Sequence, residues 1–312
     1  MDRREFLRNC LAAGIGVGLA GFPFSGARQL GALAHGAEPP SAASTLPDIV
    51  AVRNGEPDLM FDRGIAAMGG MGRFVKKGQK VTIKPNVSWD VGIDMAGNTN
   101  PALLRRIVKH CLEAGAAKVT VFDNCIEHWQ RCYDVSGIGE AARDAGAIIA
   151  PAEAERYYQK HNVGGKTLKE AMVHEAVFDC DVLISVPILK HHGGAGMTGG
   201  IKNFMGAVWD RRFYHRAGLQ QCIADYLLVR KPDLTIIDAY RVLMSNGPRS
   251  RSAGDVRLTK MQILSTDVVT ADASGARILG RDPESYAHIR IAHEMGLGEI
   301  DPSRLDARRI SL

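Results

Sequence analysis

A chain of 312 residues with 23% charged and 46% hydrophobic side chains has the balance of an ordinary soluble globular protein, long enough for one large domain or two small ones. Of its formal charge of +5, +2 sits in residues 1–34 (Arg3, Arg4, Arg8 and Arg28 against Asp2 and Glu5), and the remainder shows no basic stripe interleaved with aromatics. Nucleic acid is therefore excluded as a partner class. Beyond Cys10 the cysteines are Cys111, Cys125, Cys132, Cys180 and Cys222, with no CxxC pair and no ferredoxin-like run, so no iron–sulfur cysteine motif is present.

Residues 1–34 read as an export signal. Arg3-Arg4 followed by Phe6-Leu7 resembles the twin-arginine (Tat) consensus, a weakly apolar glycine-rich segment runs over 11–24, and Ala32-Leu33-Ala34 offers a cleavage site. The segment is too short and glycine-rich for a membrane span unless it is retained as an anchor. The expected partner is the Tat export machinery, and the expected location is periplasmic or extracytoplasmic. Residues 35–47 read as a flexible leader, and 48–312 as a single domain. In an oxidising compartment Cys125 and Cys132 are the nearest pair for a disulfide.

From residue 49 onward strand-like and helix-like segments alternate. Strands are expected at 49–53, 80–83, 118–122, 147–150, 182–186, 234–237 and 261–264. Helices are expected at 58–68, 103–112, 139–145, 201–208, 219–229, 268–279 and 284–295. Asn100-Pro101 reads as a cap and first turn, and Gly115 as a helix stop. Cys125, Glu127, His128 and Trp129 read as loop, and 151–174 as an irregular excursion. Such alternation predicts an α/β fold, a mainly parallel, Rossmann-like layered sheet with helices on both faces.

Open parallel sheets bind ligands beyond the carboxyl ends of their strands. Lys84 and Asn86 follow one expected strand, Asp123 and Asn124 another, Lys190, His191 and His192 a third, and Asp238 a fourth. The third strand opens the densest stretch, residues 181–215. Its five glycines between residues 193 and 200 read as a loop whose N–H groups can approach a ligand, and Lys202, Asn203, Arg211, Arg212 and His215 follow. Lys84, Lys190, Lys202, Arg211, Arg212 and Arg249 can neutralise phosphate or carboxylate. The glycine run is neither a Walker A loop nor a dinucleotide fingerprint. His191, His192 and His215 are candidate ligands for a divalent metal, although adjacent strand residues point to opposite faces. A general acid/base role for one histidine fits the same residues.

The block from Asp181 to His192, together with Met197-Thr198-Gly199-Gly200-Ile201-Lys202-Asn203, resembles the signature of domain of unknown function family 362. Further matches are Lys84 with Asn86, Asp238, Asn246-Gly247-Pro248 and Asp272, so the resemblance covers about residues 49–280. The histidine of the family's pattern falls at His192. Many relatives carry ferredoxin-type motifs, from which the resemblance implies a redox connection; this chain has no such motif. The expectation is an exported, redox-linked enzyme acting on a small-molecule anion. Lys84, Asn86, Lys190, Gly199, Gly200, Lys202, Asn203 and Arg211 would bind the anion, His192 or His215 would move protons, and Asp123 or Asp238 would orient them. The alternative is a non-enzymatic periplasmic carrier for an anion, metal or cofactor.

Overall fold

The computed structural model describes residues 46–312; the expected Tat signal (1–34) and most of the leader (35–47) lie outside the described residues. The strands are β1 (Ile49–Arg53), β2 (Lys80–Pro85), β3 (Lys118–Val121), β4 (Ile148–Ile149), β5 (Tyr158–Asn162), β6 (Glu170–His174), β7 (Val182–Val186), β8 (Ile188–His192), β9 (Gly196–Thr198), β10 (Leu234–Leu243), β11 (Val256–Ser265) and β12 (Ala307–Ser311). The α-helices are α1 (Pro57–Ala67), α2 (Pro101–Glu113), α3 (Trp129–Val135), α4 (Ile138–Asp144), α5 (Gly200–Asn203), α6 (Arg211–Ala217), α7 (Leu219–Asp225), α8 (Val268–Ile278) and α9 (Ala287–Glu294).

The main sheet runs β12-β1-β11-β10-β7-β2-β3-β4, with β8 and β9 attached beside β10. From β10 to β4 every neighbouring pair on this path is parallel. Only β11 among these strands runs against its two neighbours, β1 and β10. The fold is thus α/β with a mixed, mainly parallel sheet. Every residue of β7 is buried, which is why its sequence is a continuous apolar run rather than an alternating one. Val81, Ile83, Val119, Val121, Ile184 and Ile236 pack one face of the sheet. Phe122, Leu183, Ile237, Ile263 and the residues of α5, α7 and α8 pack the other.

Local chemistry sets the element ends. Asn100 Oδ1 accepts from Ala102 N at 2.9 Å and Pro101 opens α2, while Gly115, at φ +97°, ends it. Asp210 caps α6 and Asp267 caps α8 in the same way.

Four expectations change. The extended run does not stop with the strand expected at 182–186, because after Pro187 β8 begins at once and pairs with β10. The glycine stretch is a hairpin, β8 against β9, rather than an open loop. Trp129 begins a helix instead of lying in a loop. The expected helix 201–208 is one short α-turn followed by a 3₁₀ turn, Phe204–Ala207. The excursion at 151–174 holds the antiparallel pair β5–β6, apart from the main sheet.

Candidate functional site

β2 and β7 pair in register so that Lys84 lies beside Ser185. Val81 and Ile83 point to one core face, so alternation turns Lys84 to the other, toward α5. There its ammonium meets Asp123 Oδ1 at 2.7 Å, just past the end of β3, and both residues are 1% exposed. It also donates to Pro85 O and Asn203 Oδ1, each at 2.9 Å. Asn203 returns the contact, donating to Lys84 O at 2.8 Å and Ser185 Oγ at 3.2 Å. The second Asp123 oxygen accepts from Val87 N at 2.6 Å. Gly206 passes so close that a Cβ there would run into Asp123 Oδ1 and stand 2.6 Å from Lys84 Nζ, so only glycine fits.

Lys190, on β8, is equally enclosed and donates to Gly97 O at 2.6 Å and Asn86 Oδ1 at 3.1 Å. Arg211, at the start of α6, donates to Asn124 O at 2.7 Å, Cys125 O at 2.9 Å and Asn124 Oδ1 at 3.3 Å. Lys202 stands between these groups. It is only partly buried, and among the described residues its ammonium has no hydrogen-bond acceptor and no ion-pair partner. Burial, with Arg211 and Lys84 nearby, brings it down to about 8. Burial also lowers Lys84, against the pull of Asp123. Lys190 is pushed well below the usual lysine range by burial and then by Lys202. The basic side chains Lys84, Lys190, Lys202 and Arg211 thus share one region, and the carboxylate among them, Asp123, is already held by Lys84.

Beside Arg211 opens a cavity of about 290 Å³, walled by Cys125, Trp129 and Trp209 with the carboxylates Glu127 and Glu153. The Trp129 indole N–H is buried without a partner. A smaller cavity, about 160 Å³ near Lys231 and Gly298, lies where Asp267 already caps α8.

Residues 81–277 match the model of a family described as Domain of unknown function (DUF362). The chain belongs to that family. A curated relative, the thylakoid-associated protein sll1697 of Synechocystis sp., is 26% identical over 245 residues, 74% of this chain and 72% of that protein. Among solved structures, a Thermotoga maritima protein aligns with a TM-score of 0.47 at 12% identity, over 72% of this chain and 60% of that one. The lactate racemase apoprotein of Thermoanaerobacterium thermosaccharolyticum gives 0.45 at 9% identity, over 73% and 56%. The chain therefore spans less than two thirds of either solved structure.

Of the DUF362 signature residues, the structure brings together Lys84, Asn86, Lys190, Lys202 and Asn203, joined by Asp123 and Arg211 from outside it. Asp238 is buried but shares strand parity with Ile236 and Tyr240, which pack the layer opposite to that of Ile237 and Ala239. Its oxygens accept from Asn100 N at 2.7 Å and Tyr240 N at 3.1 Å, a brace for the start of α2. Burial pushes it up to about 6. Gly199 and Gly200 let α5 lie against Asp272, which accepts from Gly200 N and, at 3.0 Å, from Ile201 N. Those N–H groups, and those of Gly194 and Ala195, are spent inside the protein, so the glycines pack the hairpin and helix rather than present donors to a ligand.

His191 and His192 diverge as strand neighbours must. His191 Nδ1 accepts from Gly247 N at 3.1 Å, and His192 Nδ1 accepts from Gly194 N and Ala195 N, each at 3.1 Å. Burial, followed by Lys202 and Lys190, lowers His192 to about 2, so it stays neutral and offers Nε2–H as a donor. His215 is exposed on α6, close enough to bear on His192. Among the described residues no three His, Cys, Asp or Glu side chains gather as a metal cage. Arg212 is exposed, and Arg249 pairs at the surface with Glu127 at 2.9 Å and Asp90 at 3.1 Å. Cys125 and Cys132 are free thiols; Cys125 Sγ donates to Asp123 O at 3.8 Å, and the neighbouring Cys132, followed by burial, raises Cys125.

One residue of this region escapes a reading from sequence. His288, on α9, is fully buried, its Nδ1 bonded to Gln220 Oε1 at 2.8 Å and its Nε2 without a partner. Burial and then Lys202 lower it to about 3. It lies beyond the span that matches the family, and a lone histidine on a helix carries no local signal.

Proposed function

We propose that the protein binds a small anion at the carboxyl ends of β2, β3 and β7, with Lys202 and Arg211 as the contacting cations. Behind them lie Lys84, paired with Asp123, and Lys190, whose burial opposes its charge. The carrying observation is the Lys202 ammonium, without an acceptor among the described residues and set near Arg211 and Lys84, whose neighbour Asp123 is already taken. A partly buried charge without a protein partner gains from pairing, and an incoming phosphate or carboxylate would supply the partner. The neighbouring cavity, of small-metabolite size and bearing two indoles, supports a ligand with an apolar part as well.

The test is thermal unfolding in the presence of inorganic phosphate, oxalate and other small carboxylates. Stabilisation that saturates in the wild type and is lost in Lys202→Met is the expected result; equal response of both proteins to every anion would end the proposal. The reading extends to an exported protein, on the strength of Arg3-Arg4 and the apolar segment behind them. An enzyme fits better than a carrier because one lysine near neutrality is left free to react. Turnover assays on any ligand found decide between the two.

A further inference from the structure

Three lysines end in this region, and two are immobilised. Lys84 holds three oxygens and Lys190 two. Lys202 holds none among the described residues, yet its backbone is as firmly placed as theirs. Asp272 pins the N-terminal turn of α5 immediately before it, and Asn203, immediately after it, is tied to β2 and β7. A fixed base with a free tip suits a side chain that makes and breaks bonds rather than one that braces the fold.

The surroundings select its chemical form. The groups that bear on its charge are Lys84 from β2, Asp123 beyond β3, Lys190 and His192 from β8, Arg211 from α6 and His288 from α9, with Asp272 of α8 bonded to the backbone just before it. All are cationic or neutral except Asp123, which Lys84 occupies, and Asp272, which the first N–H groups of α5 occupy. A desolvated lysine among cations favours the neutral amine, and the neutral amine is the nucleophile. Arg211 is held by Asn124 and Cys125 through three of its N–H groups, which leaves Nε–H and one Nη1–H for an anion.

We infer that Lys202 is a covalent nucleophile that forms an imine with a carbonyl compound bearing an anionic group, such as an α-keto acid, whose anionic end Arg211 holds. The inference rests on the anion site proposed above. The amine nitrogen adds to the carbonyl carbon, and the C=O π pair moves to oxygen, which takes a proton to give a carbinolamine. Nitrogen then loses its proton, the hydroxyl leaves as water and the C=N bond closes. No electrons are gained or lost, and no outside reagent is needed.

The experiment treats the whole chain with glyoxylate near pH 8, traps imines with sodium cyanoborohydride and maps the modified lysines. Lys202 should be carboxymethylated about tenfold or more faster than the exposed Lys76 and Lys77, with oxalate suppressing the reaction. Mapping the unmutated protein keeps the test valid whether or not Lys202→Arg folds. If oxalate raises the unfolding temperature but Lys202 reacts no faster than Lys76, the nucleophile falls and the anion site stands. If oxalate has no effect and no selective adduct forms, both fall.

Discussion

Lys84 and Lys202 occupy the same corner of the sheet and meet it differently. Lys84 is 1% exposed, yet every direction from its ammonium ends on an oxygen, and Asp123 balances its charge. Lys202 is less enclosed and has nothing opposite it. The first pair joins β2 to α5 and to the end of β3, and its removal should hurt the fold. The second charge opposes the fold, and a protein that keeps such a charge has a use for it outside its own stability.

The sharpest way to break this contrast is Asp123→Ala. It strands Lys84 without its counter-charge and frees Val87 N, so stability should drop by about 3–5 kcal/mol in urea unfolding. A loss below about 1 kcal/mol would mean that the pair braces nothing. Lys202→Met should go the other way, raising the stability of the ligand-free protein by about 1 kcal/mol or more while removing its response to anions. Destabilisation by Lys202→Met would erase the distinction between the two lysines.

Titration sharpens the contrast further. Folded Lys202 releases its proton near 8, whereas the unfolded chain keeps it until about 10. Unfolding therefore takes up protons between those values, and stability should rise as pH climbs through that window. Lys84 and Lys190 are lowered as well and act with the same sign. Lys202→Met should flatten part of the rise, and anion affinity should fall over the same interval in the wild type. The smallest effect belongs to Arg249→Ala, whose half-exposed ion pairs with Asp90 and Glu127 are worth under about 1 kcal/mol. A much larger loss there would mean that the loop at 246–250 supports the site.

Strand ends were the legible part of this site. The strands expected at 80–83, 118–122 and 182–186 marked where Lys84, Asp123 and Lys190 would emerge, and Lys202, Asn203 and Arg211 followed in the same polar block. What sequence could not convey was direction. Asp238 follows an apolar run as clearly as Lys84 does, but its parity turns it to the other face, and parity depends on which neighbours cover the strand. The glycine stretch read as a loop because β8–β9 pairing is fixed by a distant partner, β10. Asp210 is a side-chain cap that marks the start of α6, whereas Trp129 starts α3 with no side-chain cap to announce it.

Lys202 and Asn203 are consecutive residues of a helix only four residues long. The tip of one has no partner among the described residues, and the other is laced into the seam between β2 and β7. Occupancy at the first must therefore be felt as tension or relief at the second. Amide hydrogens at the end of β2 and beside Ser185 should exchange with solvent more slowly once the site is filled, which makes that seam a built-in reporter of binding.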